Sequence, residues 1–247
     1  MASSFSIALG NFLYKNCFPV YKAVYSRFKR RQDAFEMSLL QRFIKPGDTV
    51  LDIGANIGFY TEFISGLVGP TGSVHAFEPE PGNFGHLRKR VSGLINAHIH
   101  NKAVSDKTGI IKVYTSKQLN VDHRTYKPDE YDSEIDIPAI AIDDYLAGKP
   151  VQFIKMDIQG FELSAAKGMV HTLASPGLVM LSEFWPYGMR KAGNSVLEYF
   201  TLLKQAGFFV YLIKDNALQE LKEETVKTFL DLPESAYMNI IASKARV

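Results

Sequence analysis

"VLDIGANIGFYT", residues 50–61, decides how this chain is read. An apolar run ends on Asp52, and Gly54 and Gly58 stand four residues apart with Asn56 between them. A short buried run, then glycines, then a helical pattern is the strand, tight turn and helix of an α/β unit. Gly54 lets the backbone bend and approach a ligand with no Cβ in the way, and Gly58 lets the next helix begin close to it. In a parallel sheet that turn lies beyond the carboxyl ends of the strands, where ligands bind.

Strands and helices alternate outward from this point, the pattern of a doubly wound, mostly parallel Rossmann-like sheet. Residues 73–79 read as a second strand, and residues 81–94 as a helix despite Gly82 and Gly85. "AHIHNKAVS" (97–105) reads as a third strand and "GIIKVYT" (109–115) as a short one after it. Residues 116–138, polar and acidic, read as a long loop. "VQFIKMDIQG" (151–160) is a fourth buried strand ending on an acid, followed by one helix, "FELSAAKGMVHTLA", and a fifth strand at 178–184. The helix over 193–207 starts with Ser195 and Glu198 at capping-box spacing and stops at Gly207. "FFVYLI" and "AYMNIIAS" supply two last strands.

Charge divides the chain in two. Residues 1–45 carry eight Lys/Arg and two Asp/Glu, whereas residues 46–247 carry 20 against 24. The first 45 residues therefore read as a basic, aromatic helical arm, with Tyr14, Tyr21, Tyr25 and Phe28 and the run "RFKRR" at 27–31, and residues 46–247 as one domain. The arm is expected to pack over the domain with its basic face solvated. It is also where peripheral contact with an anionic membrane, or packing of a homo-oligomer, would be sought. Nucleic acid is not expected, because the rest of the chain is acidic and carries no binding motif. The lone Cys17 cannot form an intrachain disulfide. With no apolar run of membrane-span length and no basic region ahead of the first apolar stretch, the expected location is cytoplasmic.

The loop also limits its ligand. A dinucleotide fingerprint would need glycines at 54, 56 and 59, but Asn56 and Phe59 occupy the last two places. The missing second glycine is where a pyrophosphate would approach the backbone, so the loop suits a ligand without phosphate. Glu78, 20 residues after Gly58 at the end of the second strand, can accept both ribose hydroxyls of an adenosine. Asp52 suits a cation such as the amino group of a methionine moiety and opposes a diphosphate. Adenosine plus an amino acid, without phosphate, is S-adenosylmethionine. A short-chain dehydrogenase would want the missing glycines and a Tyr-x-x-x-Lys pair, and Tyr21 and Tyr126 have no lysine four residues later.

The chain resembles the FkbM-type methyltransferases, a branch of the class I S-adenosylmethionine-dependent enzymes. The resemblance rests on "VLDIGANIGFYT", "AFEPEPGNFGHLRKRV", "NKAVSDKTG", "IAIDDYL", "IKMDIQGFELSAAKGM" and "LSEFWP", in order from residue 50 to residue 186. It implies a seven-stranded sheet with its last strand antiparallel, S-adenosylmethionine in the first crevice, and methylation of an oxygen. It places cofactor binding on Asp52, Gly54, Asn56, Gly58 and Glu78, with Ala103 and Val104 flanking the adenine. Ala55, Phe59, Pro79 and Asp157 complete the expected cofactor wall. Gln159 stands where many relatives have an acid, which bears on any mechanism needing a charge there.

Methyl transfer from a sulfonium needs an oxygen aligned with the S–CH₃ bond and help in losing its proton. Asp157 and Glu183, ending the fourth and fifth strands, are candidates for that help. So is His123 in "NVDHRTY", with Arg124 beside it to bind an anionic or polyhydroxylated acceptor. The duller roles are helix capping for Asp157, pairing with the arm for Glu183, and an exposed loop position for His123. Asp157 and Glu183 could also hold a divalent metal, but two carboxylates make a thin site, and a metal is not favoured. His75, His98, His100 and His171 read as structural. The expected activity is O-methylation of a sugar, glycolipid or natural-product hydroxyl. The competing readings are a protein that binds the cofactor or a membrane without turnover, and a dehydrogenase-like nucleotide enzyme.

Overall fold

In the computed structural model, residues 10–14, 16–114, 131 and 133–247 are described. After helical residues 10–14, two helices, α1 (Phe18–Gln32) and α2 (Ala34–Phe43), lead into the sheet. The chain continues through β1 (Thr49–Ile53), α3 (Phe59–Val68), β2 (Ser73–Phe77), α4 (Pro81–Arg90) and β3 (Ala97–His100). A small excursion follows: β4 (Ala103–Val104), β5 (Gly109–Tyr114), β6 (Glu134–Ile140) and α5 (Ile142–Leu146). Then come β7 (Phe153–Met156), α6 (Glu162–Lys167), α7 (Val170–Leu173), β8 (Val179–Phe184), α8 (Pro186–Lys191) and α9 (Val196–Gln205). The chain closes with β9 (Phe209–Lys214), β10 (Ala217–Glu220), α10 (Glu223–Lys227) and β11 (Met238–Ser243).

The main sheet has the order β10-β9-β11-β8-β7-β1-β2-β3. β1 pairs in parallel with β2 on one side and β7 on the other, so the strand order reverses at β1. Both faces of the sheet are covered, and β1 shows why its sequence is almost wholly apolar. Leu51 and Ile53 pack into the cluster formed with α6 and α9, while Val50 faces the cluster that includes Leu39, Leu40 and Ile64 from α2 and α3. Asp52 alternates onto the Val50 face, beside its β7 register partner Lys155.

The expected last strand, β11, is antiparallel to both neighbours, β8 and β9. An eighth strand, β10, was not foreseen. It pairs with β9 through a two-residue turn at Asp215 and Asn216, whose φ values of 51° and 55° fit a type I′ hairpin. The expected strand 97–105 divides at Asn101, which donates to the carbonyls of Glu78 and Pro79. β3 stays in the main sheet, and β4 pairs instead with β6 in a three-stranded sheet. Part of the expected loop 116–138 is strand: β6 begins at Glu134 and pairs with β5. The expected single helix after β7 is broken at Gly168, where an added Cβ would sit 2.0 Å from the Ser105 carbonyl oxygen. Asp143 restarts it by accepting the amides of His171 and Thr172, each at 2.9 Å. Among the described residues, no helix is long and apolar enough to cross a membrane.

Candidate active site

A cavity of about 530 Å³ opens at the carboxyl ends of β1, β2, β7 and β8, where the strand order reverses. Its floor is the turn after β1. The Gly54 and Ala55 amides both donate to the Phe77 carbonyl. Gly54 has φ +82°, and a Cβ there would lie 1.9 Å from the Asp157 carbonyl oxygen. Only glycine fits between these strand ends. Asn56 also takes a left-handed conformation, φ 51°, and its side-chain oxygen accepts the Ile57 amide at 2.7 Å. Gly58, φ +82°, precedes α3 and abuts Leu87, so it sets how closely α3 approaches α4.

Glu78 closes this end. Its carboxylate accepts the Asn56 amide at 2.8 Å and the Glu80 amide at 2.9 Å, which aims it into the cavity beside Pro79. Burial pushes its carboxyl up to about 7, against the pull of those two amides. Ala103, Val104 and Val113 form an apolar wall nearby. Of the expected cofactor residues, Gly54, Ala55, Asn56, Phe59, Glu78, Pro79, Ala103, Val104 and Asp157 line the cavity. Asp52 and Gly58 lie behind its wall. Asp52 is fully buried and accepts the Thr61 hydroxyl at 2.6 Å, so it supports the turn from beneath rather than facing a ligand.

The other end is a charge cluster. Lys155 Nζ lies 3.5 Å from Asp157 Oδ2, 3.9 Å from Asp52 Oδ1 and 5.0 Å from the Tyr60 ring centroid. Burial disfavours its charge, but the two carboxylates outweigh that and hold it protonated, above the ordinary lysine range. Asp157 opens to the cavity with 39% of its side chain exposed. The surrounding protein resists its charge, yet Lys155, Lys29 and the Gln159 amide, which donates at 3.1 Å, hold it below the usual range. An acid at 159 would repel Asp157, so the glutamine suits an ionised neighbour. Glu183 goes the other way: burial, then the charges of Asp157 and Glu162, push its carboxyl well above the ordinary range. Among the described residues its Oε2 is buried without a hydrogen-bond partner.

Asp157 does not cap the following helix. The N-cap of that helix is Phe161, which makes no side-chain cap hydrogen bond, and Glu162 at its first position instead holds the preceding loop by accepting the Ile158 and Gly160 amides at 3.1 and 3.3 Å. Among the described residues Glu183 makes no ion pair with the arm, whose Lys29 binds Asp33 at 2.5 Å. His123 and Arg124 lie outside the described residues. Among the described residues, no cluster of three or more His, Cys, Asp or Glu is placed to hold a metal ion. The position between Asp52 and Asp157 belongs to the Lys155 ammonium.

Sequence reasoning missed the cavity residues Lys155, Tyr25, Lys29, Tyr60 and Trp185. Lys155 was within reach, since it lies two residues before Asp157 and strand alternation puts both on one face. Tyr25 and Lys29, four apart on α1, share a helix face that lines the cavity. They also have the Tyr-x-x-x-Lys spacing, as do Tyr145 with Lys149 and Tyr187 with Lys191, although the loop at 54–59 keeps its non-dinucleotide pattern. Rings anchor this segment to the domain: Phe18 stacks on His86 at 3.5 Å, Tyr14 meets the same ring edge-on at 4.9 Å, and Tyr25 meets Phe59 at 6.4 Å.

Residues 52–210 match the family model described as the methyltransferase FkbM domain. A stretch of 68 residues is 43% identical to the 31-O-demethyl-FK506 methyltransferase FkbM of Streptomyces tacrolimicus, covering 27% of this chain and 26% of that protein's length. The fold is similar to an rRNA methylase from Streptococcus thermophilus, with a TM-score of 0.52 and 15% identity over 85% of this chain and 95% of that one. It is also similar to a Streptococcus mutans protein solved with S-adenosylhomocysteine, with a TM-score of 0.53 and 12% identity over 85% and 96% of the two chains.

Proposed function

Since the chain belongs to the FkbM methyltransferase domain family and S-adenosylmethionine is its cofactor, we propose that it transfers a methyl group to a hydroxyl of a sugar, glycolipid or natural-product intermediate. One observation carries this reading: a single cavity joins the Glu78–Asn56 cradle to the Lys155–Asp157–Glu183 cluster. The cradle suits the cofactor's chemistry. Glu78 offers a carboxylate to the ribose hydroxyls, the glycine at 54 lets the backbone approach, and Ala103, Val104 and Val113 give the adenine an apolar wall. The cofactor supplies an activated methyl on a sulfonium.

This chain's residues then need to hold an oxygen and take its proton. Asp157, ionised under Lys155, accepts a hydrogen bond from the acceptor hydroxyl. The Lys155 ammonium stabilises negative charge developing on that oxygen. Asp157 and Glu183 titrate as a pair: Glu183, its carboxyl pushed well above the ordinary range, holds the pair's proton, and the ionised Asp157 is left to take the one that departs from the acceptor hydroxyl. Tyr25, Lys29 and Trp185 line the acceptor end, where aromatic faces and a cation suit a polyhydroxylated ring. Arg124 and His123 extend the proposal as acceptor-binding and proton-accepting residues.

Calorimetric titration with S-adenosylhomocysteine, run beside NAD and repeated with Glu78→Ala, tests the cofactor end. Micromolar binding that the substitution weakens, with no NAD response, is expected. Transfer of labelled methyl from S-adenosylmethionine to a panel of hydroxyl, amine and thiol acceptors tests the chemistry. Hydroxyl products lost in Asp157→Asn support the proposal, and methylation confined to nitrogen or sulfur overturns it.

A further inference from the structure

The arm has a second face that the cavity does not use. Tyr25 and Lys29 on α1 line the cavity, and Arg90 donates to Ser26 at 3.0 Å. On the opposite side, Val20, Val24 and Phe28 are 46%, 57% and 59% exposed. They step four residues apart and so form one stripe along the helix. Arg27 and Arg31 fall within the stripe by helical spacing and Arg30 at its edge; all three are exposed and make no ion pair among the described residues. Apolar side chains interleaved with unpaired arginines, on a helix fixed to the domain by its other face, are what a helix lying on an anionic bilayer presents.

We propose that this outer face of α1 docks the protein on the surface of a membrane rich in anionic lipid. Charge selects this occupant over a second copy of the chain. A symmetric dimer through the stripe would bring the three arginines of each copy into an interface to which α1, with no Asp or Glu in its sequence, supplies no counter-charge. A bilayer instead supplies negative head groups for the arginines and an acyl boundary for Val24 and Phe28. The consequence for the methyltransferase reading, on which it rests, is a choice among its acceptors: a hydroxylated lipid head group, held at the surface where Tyr25 and Lys29 of the same helix line the cavity.

Vesicle co-sedimentation tests the docking without methyl transfer. The probes are phosphatidylcholine vesicles and vesicles of equal parts phosphatidylcholine and phosphatidylglycerol. Binding is expected only to the second set, and it should fall at high salt. Replacing Arg27, Arg30 and Arg31 together with Gln should weaken partitioning roughly a hundredfold, about fivefold for each charge near the surface. Phe28→Ser with Val24→Ser should weaken it further at unchanged charge. All five positions are exposed, so S-adenosylhomocysteine affinity and thermal midpoint should be unaltered, and this control separates failed docking from a failed cofactor site. Equal binding to both vesicle types, or no binding by a protein that still binds S-adenosylhomocysteine, overturns the proposal. So does a dimer in sedimentation velocity that the Phe28→Ser, Val24→Ser variant turns into a monomer, which would give the stripe to a second copy.

Discussion

The two ends of the cavity are built by different physics. The Glu78 end is made of backbone: amides of Gly54, Ala55, Asn56 and Glu80, a left-handed Asn56, and one carboxylate fixed by two of those amides. The Lys155 end is made of side-chain charge: Asp52, Lys155, Asp157 and Glu183, drawn from three strands and balanced against one another. A cradle of backbone is held by sterics and tolerates few side chains, whereas a buried charge cluster is held by mutual compensation and fails when one member is removed.

The largest effect should come where the two ends touch. Gly54→Ala would drive a Cβ to 1.9 Å from the Asp157 carbonyl oxygen at a φ of +82°. We expect a loss of about 4 kcal/mol or more in urea unfolding, with cofactor binding abolished. A well-folded variant that binds normally would break the claim that backbone sterics govern the first end.

Next is Lys155→Met, which leaves Asp52 buried without its cation. A loss of about 3 kcal/mol is expected. Adding Asp52→Asn should recover part of it, and strict additivity in that double-mutant cycle would show that the cluster does not act as a unit.

Glu78→Gln sharpens the contrast, because it should affect binding far more than folding. A roughly tenfold to hundredfold loss in S-adenosylhomocysteine affinity at pH 8 is expected from weaker hydrogen bonding to the ribose. The pH dependence has two opposite signs. With its folded pKa raised to about 7, Glu78 keeps a proton that the unfolded chain loses near 4.5. Its contribution to stability is therefore fully present below pH 4.5 and is lost as pH rises through 7. Affinity should rise over that same window, as the carboxylate ionises and accepts both ribose hydroxyls. In Glu78→Gln the part of each trend due to this residue should vanish, and unchanged profiles would remove Glu78 from the site.

The smallest effect belongs to neither end. Ser195 accepts the Glu198 amide at the start of α9, at 3.2 Å. Ser195→Ala should cost about 1 kcal/mol in a thermal melt and leave cofactor affinity unchanged.

The difference between the ends also explains what could be read in advance. Much of the cradle was legible because its determinants lie at short, fixed spacing: a glycine that must bend, no second glycine for a pyrophosphate, and an acid one strand later, whereas the left-handed turn at Asn56 came only with the structure. The same local logic found the helix cap at Ser195. It failed where distant contacts bear on the local structure, as at Gly168, where the helix ends and Ser105 leaves no room for a Cβ, and at Asn101, which sits where the strand divides and binds Glu78 and Pro79.

Asp52 is the sharpest instance. The sequence determined that an acid ends the first strand, in an alternating sheet with a loop unsuited to pyrophosphate. Only the tertiary structure decided that this acid points down onto Thr61 and Lys155 while Asp157 faces the cavity. Strand periodicity sets which face of the sheet a side chain takes, and adjacent residues settle it. What that face meets is set by the register of β1 against β7 and by the helices laid over them. These join residues about a hundred positions apart, where no local pattern carries the information.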